Sequence, residues 1–365
     1  MNSTQLPGTT RPGASDAIDP ARVLAEGRNA VMPRLRECVG WLSEPIRTMA
    51  TYHFGWTDPK GEPATLTGSS LRLGTMVLLS ATLDDGSWHR AQDAAVAWTL
   101  MGNQTLVHDD ILDRDQMRRG SPALWATFGT PAAVQVGDAL LALAFEVLTA
   151  QPGKHTSESV RVLAATAREV CAGQVLDVEL EGRANPTFDE ALSVVESKTC
   201  SLLRCICRLG ALHTNASREQ VDAITEFGGH VGVVWQLRDD VADIWGDPGD
   251  QAEPPRSDIN SRKKTLAVLS ALRSNHPRRE ELQAFYSSTE RPGDDDLRHV
   301  AALIQQCGGR AWCEDEIERQ MTAARGCLRR ASPHANTRRV IADYTSFITR
   351  RSLAPSPALH TEAGG

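Results

Sequence analysis

Two copies of one acidic pattern, DDxxD, are the residues of this chain whose types and spacing point most directly to chemistry. Both copies lie in apolar, helix-compatible segments, and on a helix the first and last aspartates of a copy share one face. Like charges at that spacing destabilise an isolated helix by about 0.2 to 0.5 kcal/mol, so the pattern predicts a bound cation that relieves the repulsion. The first copy contains Asp109, Asp110 and Asp113, and the second contains Asp239, Asp240 and Asp243.

The ligand type indicates which cation to expect. Carboxylate oxygens without neighbouring Cys or His pairs favour Mg²⁺ or Mn²⁺ over zinc. Mg²⁺ is usually held by one or two carboxylates together with substrate phosphates, so two such faces across a cavity would clamp a diphosphate. The competing interpretation is that each copy is a solvated, polar helix end. Repetition of the pattern about 130 residues apart favours the metal site.

These motifs, with four others in the same order, resemble the trans-isoprenyl diphosphate synthases, or polyprenyl synthetases, of the class I isoprenoid synthase superfamily. The first cluster is followed by an Arg-Arg-Gly-x-Pro stretch, Arg118 to Pro122. GQVLD (173–177), the pair Lys198 and Thr199, FGGHVGVVWQLRDD (227–240) and SDINSRKKTL (257–266) follow. The resemblance covers about residues 50 to 270. It implies an all-α, single-domain isoprenoid synthase helical bundle with a central cavity.

The same resemblance implies roles for individual residues. Mg²⁺, three ions in the family and replaceable by Mn²⁺, would join the aspartates to an allylic prenyl diphosphate and stabilise the departing pyrophosphate. The implied metal ligands are Asp109, Asp110, Asp113, Asp239 and Asp243, and Asp240 completes the catalytic set. The implied diphosphate contacts are Arg72, Arg118, Arg119, Lys198, Gln236 and Lys264. The allylic cation needs an apolar cavity without water, here lined by Trp98, Met101, Gln104, Gln174 and Thr199.

Departures from the family pattern affect the site for isopentenyl diphosphate, the second substrate of chain elongation. Where the family has Gly-Lys-x-x-Arg-Pro, residues 68–73 read GSSLRL, and Gly102 replaces the His or Gln found seven residues before the first Asp. Two polar contacts are lost, each worth about 1.5 to 3 kcal/mol, and only Arg72 and Arg119 remain. A further departure puts Glu253 where the family usually has Lys, with an effect on loop closure that the sequence leaves open.

These departures favour a terpene synthase, which ionises one allylic diphosphate of fifteen or twenty carbons and cyclises or rearranges the cation. The alternative is a chain-elongating prenyltransferase that makes farnesyl, geranylgeranyl or polyprenyl diphosphate with an unusual second site. A third hypothesis is a non-catalytic regulatory subunit of a prenyl synthase. It is disfavoured because such subunits typically lose the aspartate motifs, whereas this chain keeps all six aspartates.

Composition agrees with one helical domain. The chain has 365 residues, 41% of them hydrophobic, and its net charge of −7 gives no electrostatic case for nucleic acid. The eight cysteines show no disulfide or zinc spacing, and no run of 18 apolar residues or signal pattern occurs. We therefore expect a cytoplasmic protein without a membrane span, and by resemblance a homodimer. Residues 1–20 and 352–365 are predicted to be disordered tails around a domain at 21–351.

Apolar residues at helical spacing place the secondary structure, and no strand pattern of useful length occurs. A bundle with ligands on facing helices would bring the two DDxxD motifs to one cavity. The predicted helices are 21–49, 71–83, 89–113, 131–151, 157–183, 188–213, 217–245 and 263–274.

Overall fold

The computed structural model describes residues 19–64, 71–84, 88–150, 153–246 and 256–350. Within these ranges the chain is almost entirely helical, and the only strands are the two-residue β1 (Met117–Arg118) and β2 (Ser121–Pro122), paired as an antiparallel hairpin. The prediction of an all-α fold is confirmed. The helices are α1 (Pro20–Val39), α2 (Ile46–His53), α3 (Arg72–Ser80), α4 (Gln92–Leu112), α5 (Leu124–Phe128), α6 (Thr130–Ala150), α7 (Thr156–Glu181), α8 (Phe188–Val194), α9 (Ser201–Leu212), α10 (Arg218–Trp245), α11 (Ser257–Asn260), α12 (Leu266–Leu272), α13 (Arg279–Ser287), α14 (Asp294–Gln306), α15 (Gly309–Ala331) and α16 (Ala335–Thr349).

Two of the predicted helices are interrupted. The predicted helix 21–49 is α1 and α2, separated at Pro45, which lacks a backbone N–H and keeps the residue before it out of the helical region. The predicted helix 188–213 is α8 and α9, joined by a π-helical turn at Val195–Cys200. The other six predicted helices occur within a few residues of their expected ends. Beyond residue 275, where no family motif occurs, four more helices complete the bundle.

The long helix α10 is central to the bundle and packs against α9 and α15, while α4 packs against α6. Glycines allow the closest approach. A Cβ atom on Gly232 of α10 would lie 2.6 Å from the Cα atom of Cys200, at the end of the π turn. The backbones of α10 and of the segment before α9 are therefore in direct contact. Since α10 carries the second aspartate cluster, this contact helps to set its position.

Some of the predictions concern residues outside the described ranges. The predicted tails, 1–20 and 352–365, lie outside the described residues except for two positions. Asp19 accepts a hydrogen bond from the backbone N–H of Ala21 (3.0 Å) as the N-cap of α1, and Pro20 is the first helical residue. The altered family positions 68–70 and 252–254 also lie outside the described ranges.

One helix among the described residues, α6, is long and apolar enough to cross a membrane by length and composition alone. Its most apolar window has a mean hydropathy of 1.6, and 44% of that window is buried inside the protein. The buried face packs on α4 and contributes Val136, Leu140 and Leu143 to the core. Packing in the core therefore accounts for much of its apolar composition.

The glycine contact leads to a stability prediction. Replacing Gly232 with Ala places a methyl group against backbone atoms that cannot rotate away, so we expect a loss of about 1 to 3 kcal/mol in the free energy of unfolding. Gly182→Ala is the matched control, because a Cβ there meets nothing nearer than 3.7 Å and the residue already has helical angles. It should change stability by about 0.5 kcal/mol or less. Denaturant unfolding measures both, and equal stabilities would contradict the packing argument.

Candidate functional site

Both aspartate clusters lie at one cavity of about 800 Å³ enclosed by α3, α4, α7, α9 and α10. Asp109 and Asp239 line its mouth from opposite helices. Each cluster occupies the last two turns of its helix, where the backbone carbonyls carry a partial negative charge. The carboxylates and the helix dipoles thus both make the electrostatic potential at the cavity mouth negative. The mouth therefore attracts cations.

The rest of the cavity wall is mainly apolar. Three of the five large hydrophobic side chains with the greatest exposure in the described chain line this cavity: Leu112 (51% exposed), Val175 (61%) and Val178 (46%). Trp98 and Trp235 face it as well. Apolar side chains in this position gain stability only when another apolar group covers them. The cavity is therefore suited to a hydrocarbon chain whose charged end lies at the mouth.

The predicted lining residues separate into two groups. Trp98, Gln104, Gln174 and Thr199 line the cavity, but Met101 does not. It is fully buried in the core, and its place in the cavity wall stays a prediction. The amide of Gln104 is satisfied, because its Nε2 donates to Nδ1 of His108 (3.0 Å). The Nε2 atom of Gln174 is buried without a hydrogen-bond partner among the described residues.

A pair of lysines faces the first aspartate cluster, and one carboxylate joins them. Asp177 accepts from Nζ of Lys198 (3.1 Å) and from Nζ of Lys263 (3.2 Å). Lys198 also lies 3.0 Å from Asp109. The carboxylate offsets the repulsion between the two ammonium groups, and the neighbouring carboxylates raise the pKa of both lysines although burial opposes this. Both lysines therefore stay charged at the mouth of the cavity.

The local backbone explains how Lys198 reaches this position. It lies in the π-helical turn between α8 and α9, where the wider turn changes which residues face the cavity. A Cβ on Gly173 of α7 would lie 2.9 Å from the backbone nitrogen of Lys198, so only glycine allows α7 to pack this closely. Asp177 is one helical turn further along α7. The GQVLD motif thus brings Asp177 and the π turn together.

Lys264, the predicted diphosphate contact, is placed differently from its neighbour Lys263. The Nζ atom of Lys264 donates to the backbone carbonyl of Arg183 (3.1 Å) at the rim of a smaller recess, about 140 Å³, that adjoins the cavity. Lys263 instead points toward Asp177 inside that recess. The role of Lys264 as a diphosphate contact stays a prediction. Lys263 and Asp177 are further candidate residues that the sequence analysis did not single out, although both occur in the quoted motifs.

Asp110 and Arg118 form a buried ion pair in the structure. Asp110 is 1% exposed, and its Oδ1 atom accepts from Nε of Arg118 at 2.7 Å as well as from Nη2. Nη2 of Arg118 also donates to Asp115 (3.1 Å). Burial raises the pKa of Asp110 to about 6, against the effect of Arg118. The pair fixes the hairpin β1–β2 to the end of α4, and the metal and diphosphate roles implied for the two residues stay predictions.

The second cluster shows a similar division of roles. Asp243 is buried, and it accepts hydrogen bonds from the backbone N–H and hydroxyl of Ser257 (3.0 and 2.7 Å) and from the N–H of Asp258 (3.1 Å). It therefore holds the start of α11, and its role as a metal ligand stays a prediction. Asp240 accepts from Nε2 of Gln236 (3.0 Å), and burial raises its pKa to about 8. Oε1 of Gln236 accepts from Thr199 (2.9 Å).

Three carboxylates near the lysine pair are candidates for holding a divalent cation. Asp109, Asp113 and Asp239 carry hard oxygen ligands near the lysine pair, a donor set that fits Mg²⁺ better than zinc. Loss of hydration at the cavity mouth, followed by repulsion from Asp109, raises the pKa of Asp113 to about 6. Such crowding of like charges is what a bound cation relieves.

A second group of cations, two arginines, lines the same cavity. Arg72, at the start of α3, and Arg119, in the turn of the hairpin, both line the cavity. Each guanidinium keeps one buried nitrogen, Nε of Arg72 and Nη1 of Arg119, without a hydrogen-bond partner among the described residues. A buried donor left unpaired costs about 1 to 3 kcal/mol, so both positions favour an anionic ligand.

Comparison with known proteins places these features in context. The polyprenyl synthetase family profile matches residues 62–304. The chain is 35% identical over 303 residues to (2E,6E)-farnesyl diphosphate synthase of Mycobacterium tuberculosis H37Rv, covering 82% of this chain and 84% of that protein. It is 35% identical over 290 residues to geranylgeranyl diphosphate synthase of the same organism, covering 79% of this chain and 82% of that protein.

Among solved structures, the polyprenyl synthetase from Streptomyces coelicolor A3(2) superposes with a TM-score of 0.85 at 33% sequence identity. The match covers 90% of this chain and 99% of that one. A crystal structure of a geranylgeranyl pyrophosphate synthase gives a TM-score of 0.81 at 25% identity, covering 90% and 99%. The similarity therefore extends over the bundle as a whole and is not confined to the aspartate motifs.

The crowded carboxylates lead to a prediction about metal-free protein. Asp113→Asn removes one of two repelling charges, so in EDTA the variant should unfold at a higher temperature than the unaltered protein. Addition of Mg²⁺ should then stabilise the variant less than the unaltered protein, because a ligand is lost. Asp315→Asn, at an exposed position of α15, is the matched control and should change neither quantity. A lower unfolding temperature for Asp113→Asn in EDTA would show that the carboxylates do not repel each other appreciably.

Proposed function

The chain belongs to the polyprenyl synthetase family and is an enzyme, and on that premise we propose that it is a chain-elongating prenyltransferase. It would join an allylic prenyl diphosphate to isopentenyl diphosphate and release pyrophosphate. The altered second-substrate motif favoured a terpene synthase, but the similar proteins are named farnesyl and geranylgeranyl diphosphate synthases. These comparisons support elongation better than cyclisation, so we reverse that preference.

The observation that supports the proposal is the presence of two groups of cationic side chains around the apolar cavity and the recess that adjoins it. Lys198 and Lys263 define the first, beside the aspartates, and Arg72 and Arg119 define the second. A cyclase that uses one diphosphate has no need of the second site. Two buried guanidinium nitrogens without partners would then be an uncompensated cost.

The proposed chemistry uses both sites. At the first site the C–O bond of the allylic diphosphate breaks, and Lys198 and Lys263 donate hydrogen bonds to the pyrophosphate that leaves with the electron pair. Mg²⁺ held by Asp109, Asp113 and Asp239 would supply further charge neutralisation. At the second site Arg72 and Arg119 hold isopentenyl diphosphate so that its double bond attacks the allylic cation. Loss of a proton from the adjacent carbon then gives the longer prenyl diphosphate.

Three finer points belong to the proposal. We propose divalent Mg²⁺ as the cofactor, with three ions and replacement by Mn²⁺ as the family resemblance implies. We also propose a cytoplasmic homodimer, for which the incompletely buried apolar helix α6 is a suitable contact surface. Allylic substrates that lead to products of fifteen or twenty carbons fit a cavity of about 800 Å³.

The direct experiment is product analysis. The purified protein is incubated with Mg²⁺ and geranyl, farnesyl or geranylgeranyl diphosphate, with and without isopentenyl diphosphate, and products are identified by mass spectrometry before and after dephosphorylation. We expect longer prenyl diphosphates only when isopentenyl diphosphate is present. Asp109→Asn should reduce product formation by roughly a hundredfold or more, since it removes a proposed metal ligand. A hydrocarbon or terpene alcohol formed from one allylic diphosphate, indifferent to isopentenyl diphosphate, would overturn the proposal in favour of a terpene synthase.

The neighbouring lysines provide a sharper prediction. Lys263→Gln removes a charge that points into the site, so kcat/KM for the allylic diphosphate should fall roughly ten- to a hundredfold. Lys264→Gln is the matched control, because that ammonium bonds a backbone carbonyl at the rim, and its kcat/KM should change less than about threefold. Steady-state kinetics at saturating isopentenyl diphosphate compares the two. A larger loss for Lys264→Gln would favour the assignment made from the motif.

A further inference from the structure

Asn103 and His53 meet at the guanidinium of Arg119, and the family motifs assign neither residue. Oδ1 of Asn103 accepts from Nη2 of Arg119 (3.2 Å) and lies 3.1 Å from Nε2 of His53. Asn103 is 4% exposed and His53 is 8% exposed. Two polar side chains from α4 and α2 are thus buried together at one end of the second anion site.

The hydrogen-bond pattern fixes the direction of each group. Nδ2 of Asn103 donates to the backbone carbonyl of Thr99 (2.7 Å), which turns Oδ1 toward the other two residues. Because an amide oxygen can only accept, His53 must carry its proton on Nε2 and donate it. Burial and then the charge of Arg119 lower the pKa of His53 to about 3, so the ring is neutral and does not repel the guanidinium.

The backbone at Arg119 needs such support. Arg119 and Gly120 are the two turn residues of the hairpin, with φ values of 55° and 79°, as a type I′ turn requires. A left-handed conformation is unfavourable for arginine. The hairpin is held on one side by the Arg118–Asp110 ion pair and on the other by the Tyr52 hydroxyl, which donates to the carbonyl of Pro122 (2.8 Å). The Asn103 contact then fixes the side chain of Arg119 itself.

The indole ring of Trp98 limits the space beside Gly102. A Cβ on Gly102 would already lie 3.4 Å from the indole ring of Trp98, so a larger side chain there would press on that ring. Asn103, the next residue along α4, still lines the cavity. It supplies a polar group beside Arg119 where residue 102 supplies none.

We propose that Asn103 and His53 are positioning residues that hold one nitrogen of Arg119, so that its guanidinium is fixed at the cavity wall beside the diphosphate of the second substrate. The inference rests on the proposed elongation function and deepens it. It explains how a chain without the family's lysine and His or Gln keeps a working second site. The predicted ligand is the diphosphate group of isopentenyl diphosphate, bound without a metal ion, because the two carboxylates that pair with this hairpin, Asp110 and Asp115, are already bound to Arg118.

The test separates the two substrates. Asn103→Leu keeps the size of the side chain and removes the acceptor, so KM for isopentenyl diphosphate should rise ten- to a hundredfold while KM for the allylic diphosphate changes less than about threefold. Thr225→Val, which removes a helix-bound hydroxyl on α10 away from the cavity, should leave both KM values within about twofold. An equal rise in both KM values, or no rise, would overturn the proposal.

A second pair of variants distinguishes the positioning role of His53 from a loss of folding. His53→Gln retains an N–H donor for Asn103 and should keep KM for isopentenyl diphosphate within about threefold of the original value. His53→Leu removes the donor and should raise that KM by about fivefold or more. Similar KM values for the two His53 variants would exclude the positioning role for His53.

Binding distinguishes this inference from the elongation function. Equilibrium dialysis with labelled isopentenyl diphosphate in metal-free buffer should show that Asn103→Leu binds ten- to a hundredfold more weakly than the unaltered protein. This result without elongated products would contradict the elongation function and leave the positioning role supported. Elongation with unchanged affinity in Asn103→Leu would contradict the positioning role alone. No binding to the unaltered protein would contradict both.

Discussion

The balance of charge at the mouth of one cavity is the constraint on which the rest of the structure depends. Asp109 and Asp113 repel each other at the end of α4, and Asp177 draws Lys198 and Lys263 into the space beside them. Neither the aspartate pair nor the lysine pair is neutralised by charges on its own segment of the chain. A diphosphate with divalent cations is the kind of ligand that satisfies both sets at once.

The helical bundle positions these charges by bringing distant segments of the chain close together. Glycines at 173 and 232 let α7 and α10 approach the π turn that carries Lys198. Buried polar pairs hold the rim: Asp110 with Arg118 fixes the hairpin, and Asp243 holds the start of α11, close to Lys263. Aspartates that are equivalent in the DDxxD pattern thus have different surroundings. Some line the cavity, and others bond residues at its edges.

Helical periodicity and the repeated DDxxD motif were sufficient to predict an all-α bundle with both clusters at one cavity. Other features depend on distances that one sequence does not contain. Lys263 and Lys264 are adjacent and chemically alike, and only the path of the loop after α11 decides which one points inward. The loss of a side chain at Gly102 was visible, but the contact between Asn103 and His53 joins residues fifty positions apart. A count of missing motif residues therefore takes no account of this contact.

Simultaneous binding of two diphosphates is the most direct measurement of the central claim. The protein is saturated with Mg²⁺ and a farnesyl thiodiphosphate that does not ionise, and isopentenyl diphosphate is then titrated in a calorimeter. We expect about one further equivalent to bind per chain without displacing the analogue, because the proposed second site, at Arg72 and Arg119, differs from the proposed first site, at Lys198 and Lys263. Absence of binding, or displacement of the analogue by isopentenyl diphosphate, would show a single diphosphate site and contradict the account.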